Sequence, residues 1–158
     1  ELLMLIETDK RGSSLQLLYK DEQFSVPSNV YIIGMMNTAD RSLAMMDYAL
    51  RRRFAFYEFK PAFEIDKFKE YVNSKANDKF APLIDKVIKL NNEIAKDDSL
   101  GEGFRIGHSY FCTEDSLVSD EWLNSIVDFE ITPLLNEYWF DEKQKANYWI
   151  DELKAVLK

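Results

Sequence analysis

Hydrophobic residues in the first third of the chain occur in short runs that polar and turn-forming residues separate. Four segments among residues 1–60 have the composition of strands, at residues 15–19, 24–27, 30–33 and 54–59. The run Val-Tyr-Ile-Ile at residues 30–33 lacks polar alternation, which is typical of a strand covered on both faces. We therefore predict four short strands, preceded by the end of a helix at residues 2–8. A further helix is predicted at residues 40–50, where the apolar residues share one helical face.

After Pro61 the hydrophobic residues recur every three or four positions, which is the spacing of amphipathic helices. The spacing predicts four helices, at residues 63–72, 83–94, 122–138 and 146–157. We expect the third helix to bend or break before Pro133, because proline lacks the backbone N–H that a helix interior requires. The chain is thus predicted to be α/β, with part of a sheet layer at residues 1–60 and a helical lobe at residues 61–158.

The charge is unevenly distributed along the 158 residues, of which 46% are hydrophobic. Residues 1–60 contain eight acidic and eight basic side chains, so their charges balance. Residues 61–158 contain twenty acidic and twelve basic side chains and carry the whole net charge of −8. A nucleic-acid surface in this second part is therefore not expected, because contacts with phosphates require clustered Lys or Arg.

Cys112 is the only cysteine, which excludes an intramolecular disulfide and fits a reducing, cytoplasmic environment. No hydrophobic run is long enough to span a bilayer, so no membrane segment is expected. Since the chain begins inside the apolar stretch at residues 2–6, we expect it to have been cut from a longer protein.

A polar amide, Asn37, follows the predicted strand at residues 30–33, and Arg51, Arg52 and Arg53 follow the next predicted helix. An amide at a strand tip can orient an attacking water, and a guanidinium can neutralise the charge that develops on a transferring phosphoryl group. Asparagine is also common in ordinary turns, and cations commonly stabilise helix C-termini. Three arginines without a lysine favour bidentate recognition of phosphate or carboxylate. From the residues alone, both interpretations stay open.

Three segments carry a resemblance to a known family: Asn-Val-Tyr-Ile-Ile-Gly-Met-Met-Asn-Thr-Ala-Asp-Arg-Ser at residues 29–42, Ala-Leu-Arg-Arg-Arg-Phe at 49–54 and Gly-Phe-Arg-Ile-Gly-His-Ser-Tyr-Phe at 103–111. Together they resemble the McrB family, the GTP-hydrolysing AAA+ motor subunits of McrBC modification-dependent restriction systems. Residues 3–7 and 9–12 also resemble the segment after the Walker B region, so the resemblance covers nearly the whole chain. It implies the C-terminal part of an AAA+ nucleotide-binding lobe at residues 1–60, followed by an α-helical lid at residues 61–158.

The resemblance also implies roles for the polar residues of the first part. Asn37 resembles the sensor-1 position, which contacts the γ-phosphate and the attacking water. The triple-arginine segment resembles the arginine-finger element, which reaches into the nucleotide site of the neighbouring subunit. Arg52 is the first candidate for the finger and Arg53 the second. Arg51, nearest the predicted helix, is expected to serve mainly stability.

Other candidate residues have a simpler structural explanation beside the functional one. Arg105 lies where a sensor-2-like arginine would contact the nucleotide, and an ion pair within the acidic lobe explains it equally well. Asp40 fits a helix N-cap, with recognition of guanine as the weaker alternative. His108 and Cys112 are too few for a multi-ligand zinc site, so no metal site is expected, and both are interpreted as packing residues. Four aromatic residues are interpreted as core or subunit contacts: Trp139, Phe140, Tyr148 and Trp149.

For the full-length protein the resemblance implies GTP hydrolysis with Mg²⁺, assembly into a ring, and DNA translocation that serves a separate McrC-type nuclease subunit. DNA would be bound by regions outside this chain. The five glycines do not form the Walker A pattern G-x-x-x-x-G-K-[ST], and no apolar strand ends in Asp-Glu. We therefore expect the chain alone to hold no nucleotide tightly and to be inactive. The alternatives are an AAA+ ATPase of another branch, such as a MoxR-like remodeller, and a non-catalytic acidic helical interaction module.

Overall fold

A computed structural model describes residues 2–37 and 51–158. The chain divides into two units, Glu1–Glu58 and Phe59–Lys158. In the first unit the described residues form two 3₁₀ helices, turns and one short ribbon. The second unit consists mainly of α-helices around one hydrophobic core. The assignment of the two parts to two AAA+ lobes stays a prediction.

Two 3₁₀ helices, Leu2–Ile6 and Thr8–Lys10, lie where the sequence predicts the end of an α-helix. Leu5 is fully buried, as expected for an apolar position in a helical turn. The helical turns end before Gly12, whose φ of +81° lies in the left-handed region that glycine adopts without strain. The N–H of Gly12 donates to the carbonyl oxygen of Val26 at 3.0 Å, which closes the chain back on itself.

An antiparallel ribbon follows, with strand β1 at Ser14–Gln16 and strand β2 at Gln23–Ser25. Leu15 lies opposite Phe24 in its register. The sequence predicts both strands but makes each of them longer. The structure shortens them because the chain reverses direction at residues 17–22, which leaves only three residues of each strand facing one another.

The predictions of strands at residues 30–33 and 54–59 are wrong for this structure. Neither segment is a strand, and Ile33 and Phe59 are each 91% exposed. A strand requires the N–H and C=O groups of a neighbouring strand. Within residues 2–37 and 51–158 the only sheet is the pair β1 and β2. The helix predicted at residues 40–50 lies outside the described residues.

The helices predicted after Pro61 are confirmed, with ends that shift by a few residues. The α-helices are α1 at Asp66–Ser74, α2 at Phe80–Lys96, α3 at Asp120–Ser125, α4 at Thr132–Tyr138 and α5 at Lys143–Val156. Two 3₁₀ helices, Glu102–Phe104 and His108–Phe111, lie between α2 and α3. None of the helices in the described part of the chain is long and apolar enough to cross a membrane.

Helix α2 supplies the apolar stripe that its sequence predicts. Leu83, Val87, Leu90 and Ile94 are all fully buried in the core of the second unit. Burying a side chain of this kind contributes roughly 1.5–3 kcal/mol relative to leaving it exposed. In the second unit, α2 packs against α5, α1 and the 3₁₀ helix Glu102–Phe104.

The helix predicted at residues 122–138 is interrupted, as Pro133 led us to expect. The Oγ of Ser119 accepts the N–H of Trp122 at 3.2 Å and caps α3. Residues Ile126–Ile131 then form a π-helical segment before α4 begins. Pro133 lies in the first turn of α4, where the missing N–H of proline breaks no hydrogen bond. The π-helical segment thus separates α3 from α4, and α4 begins at Thr132, one residue before Pro133.

Asp97, directly after α2, joins separate parts of the helical unit. Its Oδ2 accepts hydrogen bonds from the indole Nε1–H of Trp139 at 2.8 Å and from the ammonium group of Lys145. Its Oδ1 accepts the backbone N–H of Ser99 at 2.9 Å and also the hydroxyl of that residue. These hydrogen bonds hold the pKa of the Asp97 carboxyl well below its usual range, and the one from Lys145 has the largest effect.

Candidate functional site

The three consecutive arginines, Arg51 to Arg53, are called the arginine cluster below. Two of them, Arg52 and Arg53, border a cleft within the first unit. It is lined by Arg52 and Arg53 together with Glu7, Thr8 and Asp9. The cavity measures about 570 Å³. The cleft thus brings together two guanidinium groups and two carboxylates that are far apart in the sequence.

Arg53 is held by an ion pair within the same chain. Its Nη2 lies 2.7 Å from Oε1 of Glu7, and only 11% of its side chain is exposed, against 30% for Glu7. An ion pair that is shielded from water in this way is stronger than one at an open surface. Arg53 is therefore the arginine of the cluster that a covered ion pair holds in place.

Arg51 and Arg52 are exposed. The guanidinium carbon of Arg51 lies 5.8 Å from the centroid of the Phe56 ring, which is within the range of a cation–π contact. Arg52 combines exposure with a position on the wall of the cleft. Which arginine reaches a neighbouring nucleotide stays a prediction, with Arg52 still the first candidate.

Asn37 is exposed and lies just after residues 30–36, which form neither a helix nor a strand. It does not belong to the residues that line the cleft. Asp40, the candidate N-cap or guanine ligand, lies outside the described residues. The structure therefore brings Arg52 and Arg53 together, and the sensor-1 role of Asn37 stays a prediction.

The segment Gly-Phe-Arg-Ile-Gly-His-Ser-Tyr-Phe is fixed to α2 by one buried amide. Asn91 is 5% exposed, and its Nδ2 donates to the carbonyl oxygen of Ile106 at 2.9 Å. Its Oδ1 accepts the N–H of the same residue at 2.7 Å. The amide thus satisfies both backbone groups of Ile106, which is itself 1% exposed. The sequence analysis missed Asn91, although its position on the apolar face of α2 marks it as a polar residue inside the core.

His108 is a packing residue, as predicted. Its Nδ1 accepts the backbone N–H of Ala62 at 3.2 Å. Its ring makes edge-to-face contacts with Phe68 at 5.7 Å and with Phe63 at 6.3 Å between centroids. The same interpretation of Cys112 is wrong, because Cys112 is exposed. Desolvation of the sulfur nonetheless raises the pKa of the Cys112 thiol, which disfavours a nucleophilic role.

Arg105 forms an ion pair within the helical unit, with its Nη2 2.7 Å from Oε1 of Glu102. Its side chain is 23% exposed, so it is mostly covered. The Nε–H has no acceptor within the part of the chain that the structure describes. The ion pair is the structural explanation that the sequence analysis kept open, and contact with a nucleotide stays a prediction.

The four aromatic residues near the C-terminus differ in their surroundings. Trp139 is 1% exposed and belongs to the core, and Trp149 packs against that core. Phe140 and Tyr148 are 73% and 57% exposed, so they are not core residues. The pKa of the nearby Tyr138 is raised to about 12, mainly because the side chain is buried, and its hydroxyl is protonated at neutral pH.

Comparisons with known proteins agree with this architecture. The family model of the McrB α-helical lid domain matches residues 82–147, which contain most of the helical unit. The chain is 51% identical over 164 aligned residues to the Type IV methyl-directed restriction enzyme EcoKMcrB subunit of Escherichia coli (strain K12). That alignment covers 97% of this chain and 36% of the E. coli protein. The chain thus spans about a third of the length of the curated relative that it matches.

Proposed function

Because this chain belongs to the McrB family, we propose that it forms the end of the nucleotide-binding lobe and the helical lid of a GTP-hydrolysing AAA+ subunit. In this proposal the full-length protein assembles into a ring, hydrolyses GTP with Mg²⁺ and translocates DNA for an McrC-type nuclease subunit. DNA contacts belong to regions outside this chain.

The observation that carries the proposal is the 51% identity over 97% of the chain to a methyl-directed restriction enzyme subunit. The match to the McrB lid domain supports the same family through a separate comparison. Both favour an McrB-type subunit over a MoxR-like remodeller. An acidic helical interaction module would also need no cleft with two arginines in its first part.

The residues of the cleft support a division of roles within this proposal. Arg52, exposed on the wall of the cleft, acts as the finger that neutralises charge on the γ-phosphate of the neighbouring subunit. Arg53, held by Glu7, remains within its own subunit. Asn37 orients the attacking water from its own lobe, because an amide can donate to the γ-phosphate and accept from water.

Within residues 2–37 and 51–158 no group of three or more Asp, Glu, His or Cys side chains could hold a metal ion. In the proposal, Mg²⁺ and the phosphates are bound by the Walker segments of the full-length protein, since this chain does not contain the pattern G-x-x-x-x-G-K-[ST]. When bound, Mg²⁺ supplies charge neutralisation at the phosphates. This chain contributes the arginine finger, the amide that positions water, and the lid.

Complementation in mixed rings of the full-length protein tests this proposal. Arg52→Ala should abolish GTP turnover while GTP binding is retained, because supplying an arginine in trans is worth roughly 10³–10⁵ in rate. Mixing it with a variant that lacks the phosphate-binding lysine should restore part of the activity, since one interface then combines an intact pocket with an intact finger. Unchanged turnover by Arg52→Ala, or no recovery in rings that are verified to be mixed, contradicts the proposal.

A further inference from the structure

The ion pair with Glu7 holds Arg53, the last residue of the arginine cluster, in one position. Both atoms of the pair belong to side chains that are mostly covered, and the distance of 2.7 Å between Arg53 Nη2 and Glu7 Oε1 is that of a charge-assisted hydrogen bond. Glu7 follows the 3₁₀ helix Leu2–Ile6, in which Leu5 is fully buried. The carboxylate is thus presented from a segment that is itself anchored.

Two adjacent guanidinium groups that line one cleft repel each other unless the charge of a carboxylate compensates them. Glu7 and Asp9 both line this cleft. Asp9 is much more exposed, at 71% of its side chain, and lies 3.4 Å from the Lys10 ammonium. Glu7 is the carboxylate of this cleft that forms an ion pair with the arginine cluster.

We propose that Glu7 is a positioning residue for the arginine finger, an inference that rests on the function proposed above. Glu7 fixes the guanidinium of Arg53 within its own subunit. Arg53 in turn fixes the backbone from which the neighbouring Arg52 extends. Glu7 therefore acts on the nucleotide of the adjacent subunit, through the arginines, and not on the nucleotide of its own subunit.

This assignment predicts a specific pattern in the full-length protein. Glu7→Gln keeps a hydrogen-bond acceptor but removes the charge, and Glu7→Ala removes both. We expect kcat for GTP to fall by about 10-fold to 100-fold in Glu7→Ala, as for other losses of positioning, and by less in Glu7→Gln. The KM for GTP should stay near that of the parent protein. Glu22→Gln, the same change at an exposed glutamate of the same unit, is the matched control and should leave kcat unchanged.

Two mixtures of variants distinguish a residue that acts on the nucleotide of the neighbouring subunit from one that acts on the nucleotide of its own subunit. A residue that serves the finger is complemented by a variant without the phosphate-binding lysine, and not by Arg52→Ala. A residue that serves its own pocket shows the opposite pattern. We therefore expect the lysine variant to restore turnover to Glu7→Ala, and Arg52→Ala to restore none. Circular dichroism and ring assembly of each variant verify that it is folded.

Each other result overturns the assignment. Recovery with Arg52→Ala alone places Glu7 in its own pocket, and unchanged kcat removes any role in positioning. Failure of both mixtures in folded, mixed rings makes Glu7 purely structural. The mixture of Arg52→Ala with the lysine variant is run in parallel. If that mixture also fails, the proposed function itself is contradicted. If that mixture recovers turnover while the Glu7 mixtures fail, only the role of Glu7 is contradicted.

Discussion

The carboxylate of Asp97 offers a direct test of how the helical unit is held together. Its side chain is 7% exposed, and it accepts hydrogen bonds from Trp139, Lys145 and Ser99. We consider Asp97→Asn and Asp97→Ala in the 158-residue chain. Asparagine keeps one acceptor oxygen for the indole of Trp139 but loses the charge that pairs with Lys145, whereas alanine removes every acceptor.

The size of the effect follows from what each donor loses. Trp139 is 1% exposed, so its Nε1–H has no access to water and leaving it without an acceptor costs about 1–3 kcal/mol. Lys145 is 31% exposed and can be partly hydrated, so the loss of its ion pair with Asp97 adds about 1 kcal/mol. We therefore expect Asp97→Ala to lower the free energy of unfolding by about 2–4 kcal/mol and Asp97→Asn by about 1–2 kcal/mol.

The effect should depend on pH in a defined direction. The pKa of Asp97 is lower in the folded state than in the unfolded chain, so its charge stabilises the fold above the ordinary carboxyl pKa of about 4. This contribution is lost progressively as the pH falls below about 4, because the unfolded state then binds the proton first. The difference between the parent chain and Asp97→Asn should accordingly be largest near neutral pH and shrink in acid.

Urea unfolding followed by circular dichroism at a series of pH values measures this difference. Asp98→Asn is the matched control, because Asp98 is the adjacent aspartate and is exposed. The reasoning is refuted if Asp97→Asn destabilises the chain no more than Asp98→Asn does. It is also refuted if the difference between parent and Asp97→Asn stays constant from pH 7 into the acid range.

Two further predictions concern single amides. Asn91→Ala should lower the free energy of unfolding by about 3 kcal/mol in urea melts, because it leaves both backbone groups of the buried Ile106 unpaired. Asn92→Ala is the control, because Asn92 is the adjacent asparagine and is exposed. Equal effects of the two substitutions would contradict the reasoning. Asn37→Ala in the full-length protein should spare GTP binding but slow single-turnover hydrolysis by about 10²–10³. An unchanged single-turnover rate would make Asn37 an ordinary turn residue.

Local spacing was enough to predict the helical unit. The stripe through Leu83 and Ile94 predicts α2 because a buried helix face repeats every three to four residues, whatever the helix packs against. Pro133 predicts the break between α3 and α4 for an equally local reason, its missing N–H. The packing role of His108 was predicted by elimination, because one histidine and one cysteine are too few for a multi-ligand zinc site, and the same reasoning was wrong for Cys112.

The strands at residues 30–33 and 54–59 could not be decided in this way. A helix satisfies its own backbone hydrogen bonds, whereas a strand depends on a neighbour that the local sequence does not contain. Apolar residues such as Ile33 therefore predict a strand only if a partner is present. Within the described residues, the only sheet is β1 paired with β2.

The sequence by itself determined the helices of this protein, its acidic second part and the motifs that carry its family resemblance, because each is a property of neighbouring residues. The tertiary structure alone decided which distant polar groups meet. Glu7 pairs with Arg53, Asn91 holds Ile106, and Asp97 binds Trp139. Ion pairs and hydrogen bonds of this kind form when folding brings distant segments within about 3 Å, and no local spacing encodes that distance.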